Sequence, residues 1–341
     1  MNQKLLILIT VFLGAVNIQL QAQTGFFTTK KINGKWHVID PDGKIFHMRG
    51  MNHYGDGTHM PWNLEEKYGT KEKWRESVKT MHQKMNFTYI PPSIGPNAID
   101  PETIGDKLKI RENLVTRKPE WSAKNFAKLD FPFTAFLEVP KQFMAGPDLP
   151  DVWSKEFMDS VDKKCKAFVE PLKNNKNLIG YHFCHNPPWS MKVWSGDLWI
   201  KACTKPNSAG LKEWIKLMQR TYGTIERWRL TYGVPIKKWS DIENLHDPFH
   251  GNIYGVKLYE DKQSFLKLIC EQWYKVYHDA IRKYDKNHLL LGDRNTLHLQ
   301  YAPDDWAFYI MKQYVDILSV NVMGPPRIVY EVLENATRNW T

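Results

Sequence analysis

The chain has 341 residues, 42% hydrophobic and 13% aromatic, enough apolar side chain for a full globular core, which excludes a disordered tail or a short binding peptide. Lys and Arg number 47 against 37 Asp and Glu, a formal charge of +10, but without a run of five or six basic residues, which argues against a nucleic-acid arm. The excess would favour an anionic polymer, sulfated or carboxylated, by long-range attraction, with a solvated basic surface as the plainer reading.

Residues 1–22 read as an export signal: Lys4 supplies the positive start, Leu5 to Val16 the apolar stretch, and Leu20-Gln21-Ala22 the small residue before a cut. That stretch is too short to span a bilayer, and no later one is long and apolar enough. The expectation is a secreted or periplasmic protein with no membrane partner once the signal is removed. Cys165, Cys184, Cys203 and Cys270 are too few and too far apart for a disulfide scaffold. Asn86, Asn335 and Asn339 each begin a glycosylation triplet.

Residues 23–44 read as a β-hairpin lead-in, with "FFTTKKINGKWHVI" turning at Asn33-Gly34 and "DPDGK" making a second bend. The remainder, 45–341, alternates strand and helix. "IFHMRGMN" (45–52) is a first strand, and residues 70–85 form a helix with Trp74, Val78, Met81 and Met85 on one stripe. "FTYIPPS" (87–93) and "FPFTAFLEV" (131–139) are the next two strands, followed by a helix carrying Phe157, Val161, Cys165 and Phe168. "LIGYHFCHN" (178–186) is the fourth strand, and the long helical region after it places Phe265, Leu268, Ile269, Trp273, Val276 and Ala280 on one face. "HLLLGDRN" (288–295) and "VDILSVNVMG" (315–324) are the fifth and sixth strands, with a helix around 303–313 between them and another beginning over 328–333.

Each strand is apolar in its body and polar at its C-terminal end, as in a parallel sheet covered on both faces. An α/β fold of the (β/α)8 TIM-barrel type fits, incomplete at about six βα units, with reacting groups where the strands end. A doubly wound sheet competes, but the glycines of "MRGMNHYGDG" miss the dinucleotide-binding spacing.

"LIGYHFCHNPPW" resembles the fourth strand of agarase-like and related β-galactosidase-type glycoside hydrolases of the retaining (β/α)8 clan, where an Ile-Gly-Tyr strand ends in Asn-Glu and a Trp follows. "NGKWHVIDPDGKIFHMRGMNH" resembles that family's first hairpin and strand, and "YGTIERWRLTYGVPIKKWSDI" (222–242) its helix and loop after strand four. "YDKNHLLLGDRN" and "YVDILSVNV" resemble strands five and six. The likeness runs from about residue 25 to about 330 in the family's order.

It implies hydrolysis of a β-linked, agar-type galactan, a polysaccharide or oligosaccharide partner, no cofactor, and a retaining mechanism. That mechanism needs two carboxyl groups about 5 to 5.5 Å apart, one protonating the leaving oxygen and one attacking the anomeric carbon. In the family the donor is the Glu after the strand-four Asn, and the nucleophile is a Glu ending strand seven. Here the Asn is Asn186 and the donor position is Pro187, which carries no ionisable proton, and the sequence reaches Thr341 without the expected seventh strand. The readings are therefore an impaired hydrolase, a non-catalytic carbohydrate-binding homologue or a gene fragment, with displaced carboxylates as a further alternative. Asp56, Glu138 and Asp197 are the candidates for such an acid, each more often a surface or turn carboxylate.

The resemblance gives Asn52, His53, Asn186, Trp189, Asp293, Arg294 and Asn321 as substrate-binding positions at strand ends. Trp189, Trp194 and Trp62 could stack on a pyranose ring, with a place in the core as the even alternative for Trp189. Arg294 and Asp293 equally suit a structural ion pair. Met323 stands where the family often has a tyrosine. His182, Cys184 and His185 suggest zinc by composition, but 182 and 184 face one side of a strand and 185 the other, so no metal site is expected. Ser190 lacks the nucleophile elbow of a serine hydrolase.

Overall fold

A computed structural model describes residues 25–51, 67–91, 128, 130–137, 149–192, 194–245, 256–296, 302–321 and 334. The export-signal region, the triplets at Asn335 and Asn339, and the helix expected over 328–333 lie outside these residues.

The lead-in is a sheet. Strands β1 (Thr28–Ile32) and β2 (Lys35–Ile39) pair antiparallel across Asn33 and Gly34, whose φ values of 50° and 78° are the left-handed pair that a tight hairpin turn requires. The Asp40 carboxylate then accepts the N–H groups of Asp42 and Lys44 at 3.0 and 2.8 Å, closing the second bend. The 45–52 segment departs from expectation. Among its described residues only β3 (Ile45–Phe46) is a strand, and it pairs antiparallel with β2, joining the lead-in sheet. Beyond it Arg49 bonds to Thr88 through both backbone groups, the N–H to Thr88 Oγ1 at 2.9 Å and the carbonyl from the Thr88 N–H at 2.7 Å.

Helix α1 (Lys71–Lys84) starts where Thr70 Oγ1 accepts the Lys73 N–H and buries Trp74 and Val78, while Met85, at the other end of the expected stripe, is exposed as the helix stops. The parallel sheet follows in the order β4 (Phe133–Phe136), β5 (Leu178–His185), β6 (Leu289–Thr296), β7 (Val320–Asn321). Two expected strands shrink. Of the 87–93 strand, the described residues make a single bridge from Ile90 to Phe133, and Pro91 next to it has no N–H to donate. Among the described residues the 315–324 strand forms a ladder only at Val320–Asn321; nearer its start the Asp316 and Ile317 N–H groups donate to the Leu290 carbonyl at 2.8 and 3.2 Å, while the Leu290 N–H is taken by the Asp316 carboxylate at 2.7 Å. Among the described residues the result is a half-barrel of four parallel strands and one bridge, not six complete βα units.

Gly180 explains itself sterically: a Cβ there would fall 2.2 Å from the Leu289 carbonyl oxygen of the neighbouring strand. Helices α2 (Lys155–Phe168) and α6 (Val256–Tyr284) cover one face of the sheet, with Phe157 stacked on Trp273 and Phe183 on Tyr277 at 5.4 and 4.9 Å between ring centres. The region read as one long helical stretch divides into α3 (Trp194–Cys203), α4 (Ala209–Tyr222), α5 (Ile225–Tyr232) and α6. Asp261 on α6 ties three of them, accepting the hydroxyls of Tyr222 and Tyr232 and pairing with Lys257 at 3.1 Å. A short α7 (Asp305–Met311) precedes β7.

On the other face, Phe27 of the lead-in packs with Ile179, Leu289 and Leu291, flanked by Val38, Phe46, Met48 and Tyr89. These residues sit at the N-terminal ends of β5 and β6, so the lead-in sheet plugs that end of the half-barrel. Burying Phe27 alone contributes roughly 1.5–3 kcal/mol. All four cysteines are buried free thiols, and no helix among the described residues is long and apolar enough to cross a membrane.

Candidate functional site

The polar ends of β5 and β6 are set by a bulge. Leu289 and Leu291 face the lead-in plug and Leu290 the opposite core, as strand alternation requires. Gly292 then adopts φ +63°, with its missing Cβ aimed at Val315 and Tyr274, and the pairing of β6 with β5 shifts register there. This inserts one residue, turning Asp293 towards α6 and returning Arg294 to the plug side.

Asp293 is consequently fully buried beneath α6. Its carboxylate accepts the Cys184 N–H at 3.0 Å and the Trp273 indole N–H at 3.1 Å. Burial pushes its pKa up to about 7, against the opposing pull of Tyr274, Trp273, the Cys184 N–H and Trp189. Asp293 and Arg294 therefore occupy opposite faces of the sheet. Trp189 is also fully buried, stacked on Trp199 at 4.7 Å and packed against Trp273 and Tyr274, so its ring lies under the site and not on its surface.

On the inner face Arg294 is grouped with His182, Tyr89 and Phe136. Arg294 is 9% and His182 8% exposed, and the Phe136 ring lies 6.1 Å from His182. Burial, helped by the nearby Arg294 cation, drives the His182 pKa down to about 3, so the imidazole is neutral at working pH. Burial raises the Tyr89 hydroxyl while Arg294 opposes it. His182 Nδ1 and Thr134 Oγ1 have no hydrogen-bond partner among the described residues, two unspent polar atoms on a buried inner wall. The sequence showed His182 only as a doubtful zinc ligand; the signal for its actual place was the glycine inside "LLLGDRN", which marks a bulge.

The chain leaves β5 through Asn186 at φ 54°, whose N–H donates to the Arg294 carbonyl at 3.1 Å and whose Nδ2 lies 3.3 Å from His185 Nε2. Pro187 follows, buried, its carbonyl accepting the Trp189 N–H at 3.0 Å. Asn321 ends β7, half-buried and paired with Thr296. Asp197 lies on α3, bound to Lys262 at 2.6 Å and Lys201 at 3.1 Å. Burial alone would raise its pKa, but the two lysines hold it below the usual value. Asn52, His53, Asp56, Trp62, Glu138 and Met323 lie outside the described residues, as does the side chain of Trp194.

No family model matches the chain. The β-agarase B of Vibrio sp. (strain JT0107) is 21% identical to it across 88% of the chain and 36% of the agarase. Two solved structures superpose on 92% of it: an exo-β-agarase at TM-score 0.66 and 18% identity, and another agarase at 0.63 and 16%. The agarase resemblance holds in sequence and in fold. The agarase-like chain spans about a third of the length of the curated relative and about half of the solved structures, 52% and 51%. Its half-barrel of parallel strands is part of the TIM-barrel architecture that such superposition shows.

Proposed function

We propose that the chain is a glycoside-hydrolase-like protein that engages a β-linked, agar-type galactan at the ends of its parallel strands and, with its own residues, cleaves it poorly. The substrate class is supported by the agarase relatives. Arg294, Asn186, Asn321 and the neutral His182 offer hydrogen-bonding groups of the kind that hold sugar hydroxyls. A polymer of this size does not cross a membrane unaided, which suits an exported protein.

The observation that carries the impairment is Pro187, directly after Asn186 at the end of β5. A retaining cut begins with a proton delivered to the leaving oxygen, a contribution of about 10²–10⁴ in rate, and proline has no proton to give. The nearby described carboxylates are poorly suited to replace it: Asp293 faces α6, and Asp197 is clamped between two lysines. A protein that keeps sugar-binding side chains but lacks the donor binds without cutting, and this is why the non-catalytic reading draws on the same residue.

The test incubates the full chain with agarose and measures both retention on the polymer and reducing-sugar release. Retention with little or no release is expected. Release by the wild-type chain above that of a Pro187→Glu variant would overturn the impairment, and failure to be retained would overturn the galactan reading.

A further inference from the structure

From the geometry we infer that a cleft beside the end of β5, apart from the inner wall that carries Arg294, is a second saccharide subsite and takes an uncharged galactan segment. The inference deepens the galactan reading and rests on it. The cleft encloses about 360 Å³, at the small end of the ~300–1,000 Å³ of ligand sites and on the scale of a short sugar segment.

Three segments distant in sequence build it. Tyr259 and Gln263 stand one turn apart on the same face of α6, Ser190 and Lys192 come from the loop after β5, and Asp304, Asp305 and Trp306 open α7. Asp304 locks the walls together. Its carboxylate accepts the Ser190 hydroxyl at 3.1 Å and the Trp306 indole N–H at 3.2 Å and pairs with Lys192 at 3.2 Å, while its N–H donates to the Trp189 carbonyl at 2.9 Å. The cleft is therefore shaped before any ligand arrives, which lowers the ordering cost of binding.

The chemistry of the lining selects a sugar. Tyr259 is 41% exposed and offers an aromatic face to the C–H side of a pyranose ring, whereas the Lys267 ammonium already sits 5.8 Å from the Trp306 ring centre. The Gln263 amide both donates and accepts, matching vicinal hydroxyls. The charge pattern disfavours sulfate: Lys192 is taken by Asp304, Lys267 lies against Trp306, and Asp305 adds a negative charge. Ser190 stands three residues beyond Pro187, so the loop that follows the end of β5 also supplies one wall of this cleft.

Affinity electrophoresis of the full chain through agarose, with carrageenan as the sulfated comparison, tests this. Tyr259→Ala and Gln263→Ala change a solvent-facing side of α6 to the best helix former, so both are expected to keep the wild-type melting temperature. Each should weaken agarose binding about three- to tenfold, and carrageenan should bind less well than agarose. Wild-type retention that neither variant alters would overturn the cleft assignment while leaving the galactan reading intact. No wild-type retention overturns both, and tighter, Tyr259-dependent binding of carrageenan would overturn the selection for an uncharged segment.

Discussion

Asp293 carries an acid–base signature that can be read from stability alone. Its carboxyl is fully buried and its pKa is raised from 3.8 to about 7, so the native state holds its proton more tightly than the unfolded chain does. The associated stability is fully present below pH 3.8 and is lost as pH rises through about 7. At ~1.4 kcal/mol per tenfold change in proton affinity, the full effect is roughly 4 kcal/mol. Asp293→Asn removes the titration and keeps the shape, but its amide turns an N–H towards either the Trp273 indole or the Cys184 N–H, a pH-independent cost of ~1–3 kcal/mol. The wild-type chain should therefore exceed Asp293→Asn in stability at pH 4, and the gap should close by ~2–4 kcal/mol by pH 8. His182 works in the opposite sense, losing stability as pH falls from 6.5 towards about 3, but both proteins share it and it cancels in the difference. Urea midpoints measured at each pH from 4 to 8 give the comparison. A difference that stays flat, or that grows with pH, would show that the Trp273 and Cys184 donors outweigh burial and that the reasoning is wrong.

Two further outcomes follow from β6 and its neighbour β5. Gly292→Ala forces a Cβ into φ +63° and to within 3.1 Å of Val315 Cγ1, and should lower stability by ~1–3 kcal/mol; an unchanged urea midpoint would remove the case for a bulge that depends on glycine. In an NMR titration the His182 ring, identified among twelve histidines by its loss in His182→Gln, should show no midpoint between pH 5 and 8, and a midpoint near 6.5 would contradict its neutral, buried state.

The elements easiest to read from sequence were those whose pattern does not depend on a partner. Leu178–His185 and Leu289–Thr296 open on apolar residues and close on polar ones, and the 29-residue α6 carries a continuous stripe. Ile45–Phe46 is equally apolar, but composition does not say which strand it joins, and β2 was nearer. The turns between α3, α4 and α5 were written locally, in Ser208 capping the Leu211 N–H and in Gly223 and Gly233 ending helices, yet the apolar stripes on either side blurred them into one region. For the site, chain position placed Asp293 and Arg294 together at a strand end; strand alternation sets neighbours on opposite faces, and the positive φ at Gly292 decides that Asp293 is the one that turns to α6. Tyr259, Gln263 and Trp306 had no common sequence signal at all, because only tertiary folding brings 190–192, 259–263 and 302–306 into one cleft.

The plug formed by the lead-in sheet also constrains the order of assembly. Phe27 emerges early in synthesis, but its partners Leu289 and Leu291 follow more than 250 residues later, a wait of roughly 15–50 s at ribosomal speeds. This early-made hairpin is thus among the last elements to dock, and until then it leaves Phe27 open to whatever chaperone or neighbour is present. Deleting it should leave a nascent chain that pairs its central strands yet cannot seal the floor on which they close.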